Sequence, residues 1–233
     1  LHIHTTFSDG YNSIEEMVKN ALERGFEYIG ICDHSQSAFY ANGLNKDRIL
    51  QQFSEIDKIQ KLYPEIKILK GTESDILKDG SLDYPDDILC KFDFIIASIH
   101  SNFNQNYEEM TNRLVRAAMN KYTTIIGHPS GRLLLSRDSY KFDWDKLVKA
   151  CIKNNTAIEL NSDEHRLDIS YEIINHVFKN NIKISINSDA HRVDSLDNLH
   201  YGIAMINKTL IKKENILNTY SYDEFKRIIK KDH

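Results

Sequence analysis

The 233-residue sequence has no apolar stretch approaching the roughly 20 residues a membrane-spanning helix needs, and no charged-then-apolar leader precedes its first strand-like segment. A soluble chain of the cytoplasm, with no membrane partner, is the expectation. A basic excess is also missing: 30 Lys and Arg stand against 34 Asp and Glu, for a formal charge of −4. This excludes a domain that grips nucleic acid by charge alone, so a nucleic-acid substrate would need help from metal ions or a second domain. Cysteine is scarce. Cys32, Cys90 and Cys151 are odd in number, widely spaced and set in or beside apolar runs, which excludes a disulfide framework and predicts reduced core residues. There is no low-complexity segment and no short repeat.

Several catalytic signatures are absent as well. The sequence has no G-x-S-x-G elbow, no G-x-x-x-x-G-K phosphate loop and no G-x-G-x-x-G dinucleotide fingerprint, and no cysteine is followed six positions later by arginine. None of these four routes to catalysis therefore has support in the sequence.

What is present is an alternation of short apolar strands and amphipathic helices. Ser13 and Glu16 form a capping box ahead of Ile14, Met17, Val18, Ala21 and Leu22, and Gly25 ends that helix. Strands are predicted at His2 to His4, Phe26 to Cys32, Ile66 to Leu69, Phe94 to Ile99, Thr123 to Ile126, Ala157 to Leu160 and Ile182 to Ile186. Helices are predicted over 45–62 and 107–119, in a short turn at 85–89, around Trp144 to Cys151, and around Ile173, Ile174, Val177 and Phe178. The pattern predicts an α/β fold with a parallel sheet, best closed as a barrel whose functional groups gather at the C-terminal rim of the strands. The length suits one domain over 1–233, and because the chain opens on Leu1 without an initiator methionine, a longer parent protein is expected.

The strand ends carry the chemistry. They present His2 and His4, Asp33 and His34, Glu73, His100, His128, Asn161, and Asp189 with His191. In a strand His-x-His turns both imidazoles to one side, so the pair can chelate one ion, and Asp189-Ala190-His191 offers a carboxylate and an imidazole at the same spacing. Six of the ten histidines fall at predicted strand ends, which points to a metal site. His165, His176, His200 and His233 lie outside this pattern and are read as surface or packing residues, His165 being near enough to Asn161 to reach the rim.

The stretches His2-Ile3-His4-Thr5-Thr6-Phe7-Ser8-Asp9-Gly10, Asp33-His34-Ser35, Glu73, Ser98-Ile99-His100, Gly127-His128-Pro129 and Ser188-Asp189-Ala190-His191 resemble the motifs of the polymerase and histidinol phosphatase (PHP) domain, in the family's order. Ala41-Asn42-Gly43-Leu44, the run from Asp79 to Pro85, and Gly131-Arg132-Leu133-Leu134 are similar to the form found at the C-terminus of bacterial and archaeal family X DNA polymerases. The resemblance implies a distorted TIM-like (β/α)7 barrel holding two to three Mn2+ or Zn2+ ions. By motif, His2, His4, Glu73 and Asp189 would hold one ion, Glu73, His100 and His128 a second with Glu73 bridging, and Asp9, His34 and His191 a third.

Glu73, Asp189 and His128 would then act at the reaction centre. Arg132 would either contact a phosphate or make a structural salt bridge, and Asp33 would either orient a ligand or serve a turn. The resemblance implies 3′ to 5′ exonuclease or 3′-end processing activity on DNA, weak DNA binding by the domain alone, and a covalently linked polymerase domain. The competing readings are a free-standing phosphatase of histidinol phosphate or another small ester, an amidohydrolase-type enzyme, and a non-catalytic scaffold.

Overall fold

The computed structural model describes residues 1–179, 182–209 and 211–229. The side chains of Val177 and Phe178, and all of His233, lie outside the described residues. In chain order the main elements are α1 (Ile14–Glu23), β1 (Tyr28–Ile31), α2 (Lys46–Leu62), β2 (Lys67–Asp75), α3 (Asp86–Leu89), β3 (Phe94–Ser98), α4 (Tyr107–Ala118), β4 (Ile125–Ile126), α5 (Trp144–Lys153), β5 (Ala157–Asn161), α6 (Tyr171–Lys179), β6 (Ile184–Asn187), α7 (Leu199–Ile206) and α8 (Tyr222–Ile229). The capping box at Ser13 and Glu16 is formed, and Gly25 follows α1 in the left-handed region at φ 73°.

The strands pair in parallel in the order β1-β2-β3-β4-β5-β6. The expected first strand is instead a short segment at Ile3, which bridges Ile31 on one side and Ala190 on the other and so joins the two edges of the sheet. The result is a distorted TIM-like barrel with six regular strands and one closing segment.

Alternation along the strands sorts the interior. In β3, Ile95 and Ala97 pack outward among the helices while Phe94 and Ile96 join Cys32, Leu69, Ile125 and Ala157 in a separate cluster, closed by Leu217 and by Phe225 of α8. The Phe94 ring fills this lower interior so closely that a β-carbon on Gly71 would lie 2.3 Å from it. Farther along these strands the same face turns polar, with Glu73 on β2, Ser98 on β3 and Glu159 on β5, all buried. The barrel therefore has an apolar floor and a polar upper layer.

Two expectations need correction. β2 does not stop at Leu69 but runs to Asp75, so Glu73 is a strand residue. The apolar run ends early because the inward positions beyond Leu69 serve the polar layer. Cys90 is exposed after α3 rather than in the core, whereas Cys32 and Cys151 are buried.

Candidate metal centre

The nine residues expected as metal ligands converge on the upper layer. Glu73 is central, 1% exposed: its Oε1 lies 3.3 Å from His2 Nε2, 3.2 Å from His100 Nε2 and 2.8 Å from His128 Nε2, and its Oε2 lies 3.5 Å from His4 Nε2 and 3.0 Å from His34 Nδ1. Asp189 Oδ1 lies 3.5 Å from His2 Nε2 and 3.2 Å from His4 Nε2. Asp9 faces His34 Nε2 at 3.6 Å, His191 Nε2 at 3.4 Å and His4 Nδ1 at 3.7 Å. Three groups have ligand atoms mutually within 4.8 Å, namely His2, His4 and Asp189; His34, Glu73 and His100; and His4, Asp9, His34 and His191.

Local backbone places these groups. Asp189 and His128 both adopt positive φ, 52° and 23°, a conformation costly for non-glycine residues that turns each side chain back over the barrel mouth. Asp9 rides on a tight loop in which Ser8 and Gly10 donate backbone N–H to the Thr5 carbonyl at 3.0 and 2.9 Å. A β-carbon on Gly10 would sit 2.6 Å from the His4 backbone. Asp33 settles between its two expected roles by organising this loop: its carboxylate accepts from Thr5 N, Thr5 Oγ1, Ser8 Oγ and Gln52 Nε2.

Sequence reasoning missed the groups that orient the imidazoles. Glu159 accepts from His2 Nδ1 at 2.7 Å, from the backbone N–H of His128 at 2.7 Å and from Asn187 Nδ2 at 2.8 Å. Asp75 holds His100 Nδ1 at 2.6 Å. Such bonds turn the opposite ring nitrogens toward the centre and fix the tautomer. A glutamate in the middle of the otherwise apolar strand Ala157 to Leu160 was the signal available.

Arg132 does not face the cluster. Its guanidinium donates to the backbone carbonyls of Arg166 and Leu167, bracing their loop. Arg166, not singled out from the sequence, is the guanidinium at the centre: its Nε lies 3.5 Å from Asp189 Oδ2 and its buried Nη1 has no hydrogen-bond partner. His165 is exposed beside Glu164, His176 faces Asp145 and His200 is exposed, so none of the three joins the cluster.

The electrostatics are those of a crowded set of acids and bases. Burial pulls the His100 imidazole down, yet Glu73 and Asp75 together hold it up at about 10. Burial likewise opposes His191, which Asp9 and Asp189 raise to about 9, whereas burial prevails at His34 and lowers it to about 4. Burial pushes the Glu73 carboxyl up, but His100, His2 and His34 hold it well below the usual range. The donor set fits divalent cations: His2 Nε2, both ring nitrogens of His4, His34 Nδ1 and His128 Nδ1 are buried without hydrogen-bond partners, a costly arrangement that a coordinating ion relieves.

Comparison with known proteins follows the same lines. The family model described as PHP domain matches residues 1–163. A Bacillus subtilis protein described as "DNA polymerase/3'-5' exonuclease PolX" is 41% identical over 232 residues, covering 100% of this chain and 41% of that protein. An Acetivibrio thermocellus protein described as "Probable phosphatase" is 30% identical over 165 residues, covering 69% of this chain and 64% of that one. This chain thus spans less than two thirds of each of these relatives. Among solved structures, histidinol phosphate phosphatase from Lactococcus lactis subsp. lactis, crystallised with zinc, L-histidinol and phosphate, matches with a TM-score of 0.62 at 17% identity, covering 91% of this chain and 93% of that one. Among the described residues, no helix is long and apolar enough to cross a membrane.

Proposed function

The chain belongs to the PHP domain family, and from that premise we propose that it is a metal-dependent phosphoester hydrolase acting as a 3′ to 5′ exonuclease on DNA. The observation that carries this reading is the set of buried imidazole nitrogens without hydrogen-bond partners, of which His2 Nε2, His4 Nε2 and His34 Nδ1 gather around the Glu73 carboxylate. His2, His4, Glu73 and Asp189 are assigned to one cation, Glu73, His100 and His128 to a second, and Asp9, His34 and His191 to a third, with manganese or zinc suiting this mixture of imidazole and carboxylate. Bound there, divalent cations supply water of lowered pKa and neutralise charge on the phosphoryl group.

The chain's own residues do the rest. Glu159 and Asp75 hold His2 and His100 in the tautomers that turn their Nε2 atoms inward. Arg166, braced by Arg132, takes the phosphate-contacting role that the sequence suggested for Arg132, because its partnerless Nη1 is the donor beside the carboxylates. In the reaction, water oxygen bonds to phosphorus, the bond to the 3′ oxygen of the preceding residue breaks, that oxygen takes the proton, and a nucleoside 5′-monophosphate leaves. The choice of DNA leans on the likeness to the B. subtilis protein over the whole of this chain, and with it goes a covalently linked polymerase domain. A cytoplasmic setting suits the three free cysteines.

A small-ester phosphatase is the second reading, favoured by the A. thermocellus relative. Parallel assays on a 3′-labelled oligonucleotide and on histidinol phosphate separate the two. The expected result is manganese-stimulated release of nucleotides with a high KM, because affinity along a DNA backbone comes from Lys and Arg contacts and this chain carries an acidic excess. Efficient hydrolysis of histidinol phosphate with no action on DNA would establish the phosphatase instead.

A further inference from the structure

A large aromatic side chain, Tyr40, stands in water at the mouth of the metal centre, and its neighbour in sequence, Phe39, is exposed as well. Phe39 is 87% and Tyr40 71% exposed, both on a single 3-10 turn, Phe39–Ala41, in the loop after β1. The Tyr40 ring centroid lies 6.1 Å from that of His34 and 6.4 Å from that of His100, edge-on to both. The loop that carries the turn is tightly tied: Leu44 N donates to the His34 carbonyl at 2.8 Å, Ser37 N to Asp83 at 2.7 Å, and the Arg48 guanidinium to the Asn42 carbonyl at 2.7 Å. The exposure therefore belongs to a built feature. An exposed ring held beside the site offers a flat face on which a base can stack.

At the His191 end of the same mouth, the Arg192 guanidinium lies 5.0 Å from the centre of the exposed Tyr11 ring, and Tyr11 N is bonded to the His191 carbonyl at 2.8 Å. A cation backed by a ring suits a neighbouring phosphate. The mouth thus offers a place for a phosphate at its centre, a flat aromatic face beside it, and a positive group at its His191 end. A nucleotide has the matching parts.

We propose that Tyr40 stacks on the base of the 3′-terminal nucleotide and so positions that nucleotide at the site. This inference rests on the DNA reading above. Stacking on a side chain uses the face of the base, and it tolerates any base because each has a π face. Tyr40 is a positioning residue, so its effect falls on KM.

The test compares single-stranded oligonucleotides ending either in a normal 3′ nucleotide or in a tetrahydrofuran residue lacking the base, cut at the same phosphodiester by the manganese-loaded full chain and its Tyr40→Leu and Tyr40→Phe variants. For the unchanged chain, KM should be about tenfold or more higher on the baseless end than on the normal one. Tyr40→Leu should raise KM on the normal end by a similar factor and leave the baseless end unaffected, with kcat on both and metal content unchanged, while Tyr40→Phe should behave like the unchanged chain. Equal loss on both ends, or no change on either, overturns the stacking role while leaving the exonuclease reading intact. No release from either oligonucleotide by the unchanged chain overturns the exonuclease reading, and the stacking role with it.

Discussion

Glu73→Ala is expected to lower phosphoester hydrolysis by at least about a hundredfold while the barrel stays folded, and Asp189→Ala to do the same. Glu73 has both carboxylate oxygens within 3.5 Å of imidazoles, five in all from four stretches of the chain, so no neighbouring side chain can take its place. Glu73→Gln, which keeps the shape and loses the charge, is expected to fail almost as badly, because a neutral amide neither bridges cations nor balances His100 and His2. The fold should survive. Its floor of Leu69, Phe94, Ile96 and Ile125 lies below the polar layer and makes no use of the Glu73 charge. Circular dichroism beside an activity assay separates the two effects, and more than about a tenth of the activity retained would contradict the central position assigned to Glu73.

Removal of metal should have the second large effect, with a dependence on pH set by the imidazoles. In the metal-free chain His100 and His191, raised to about 10 and about 9, hold protons against neighbouring carboxylates. Groups raised in the folded state stabilise fully below their unfolded value near 6.5, and the contribution is lost as pH climbs through 9 and 10. The metal-free chain is therefore expected to weaken on the alkaline side. Its acid side is limited by His34, lowered to about 4, whose contribution is present above 6.5 and lost as pH falls through 4. Cations replace the protons on these rings, so binding releases protons and strengthens as pH rises. Chelation should abolish activity at every pH, and restoring manganese or zinc should raise Tm by on the order of 10 °C at pH 9, with a smaller rise at pH 6. Thermal melts of chelated and reloaded protein at the two pH values check this; a larger gain at pH 6 than at pH 9 would contradict the imidazole ligands.

Much of the centre was legible because barrel topology sends inward-facing residues of different strands to one rim, and motifs such as His2-Ile3-His4 and Asp189-Ala190-His191 announce themselves by a spacing of two. Glu73 was found as a residue but misplaced beyond its strand, since a hydrophobic run marks only that part of a strand whose inward face is apolar. β2 continues where that face turns polar. Glu159, Asp75 and Arg166 were missed for a related reason: they act by facing another side chain, and although a glutamate inside an apolar strand marks Glu159 as unusual, nothing local names its partner His2, 157 residues away. Arg132 illustrates the reverse, a motif residue whose guanidinium serves the backbone of a distant loop. Cys90 sits beside apolar neighbours in sequence yet at the surface, because Ile88 and Leu89 occupy the buried face of the short helix before it.

The most direct measurement is the metal content of the purified chain after reloading and desalting, determined by elemental analysis. Between two and three equivalents of manganese or zinc per chain are expected, falling by at least one in Glu73→Ala. Fewer than one equivalent in the unchanged chain, with no activity gained on adding either metal, would contradict the account.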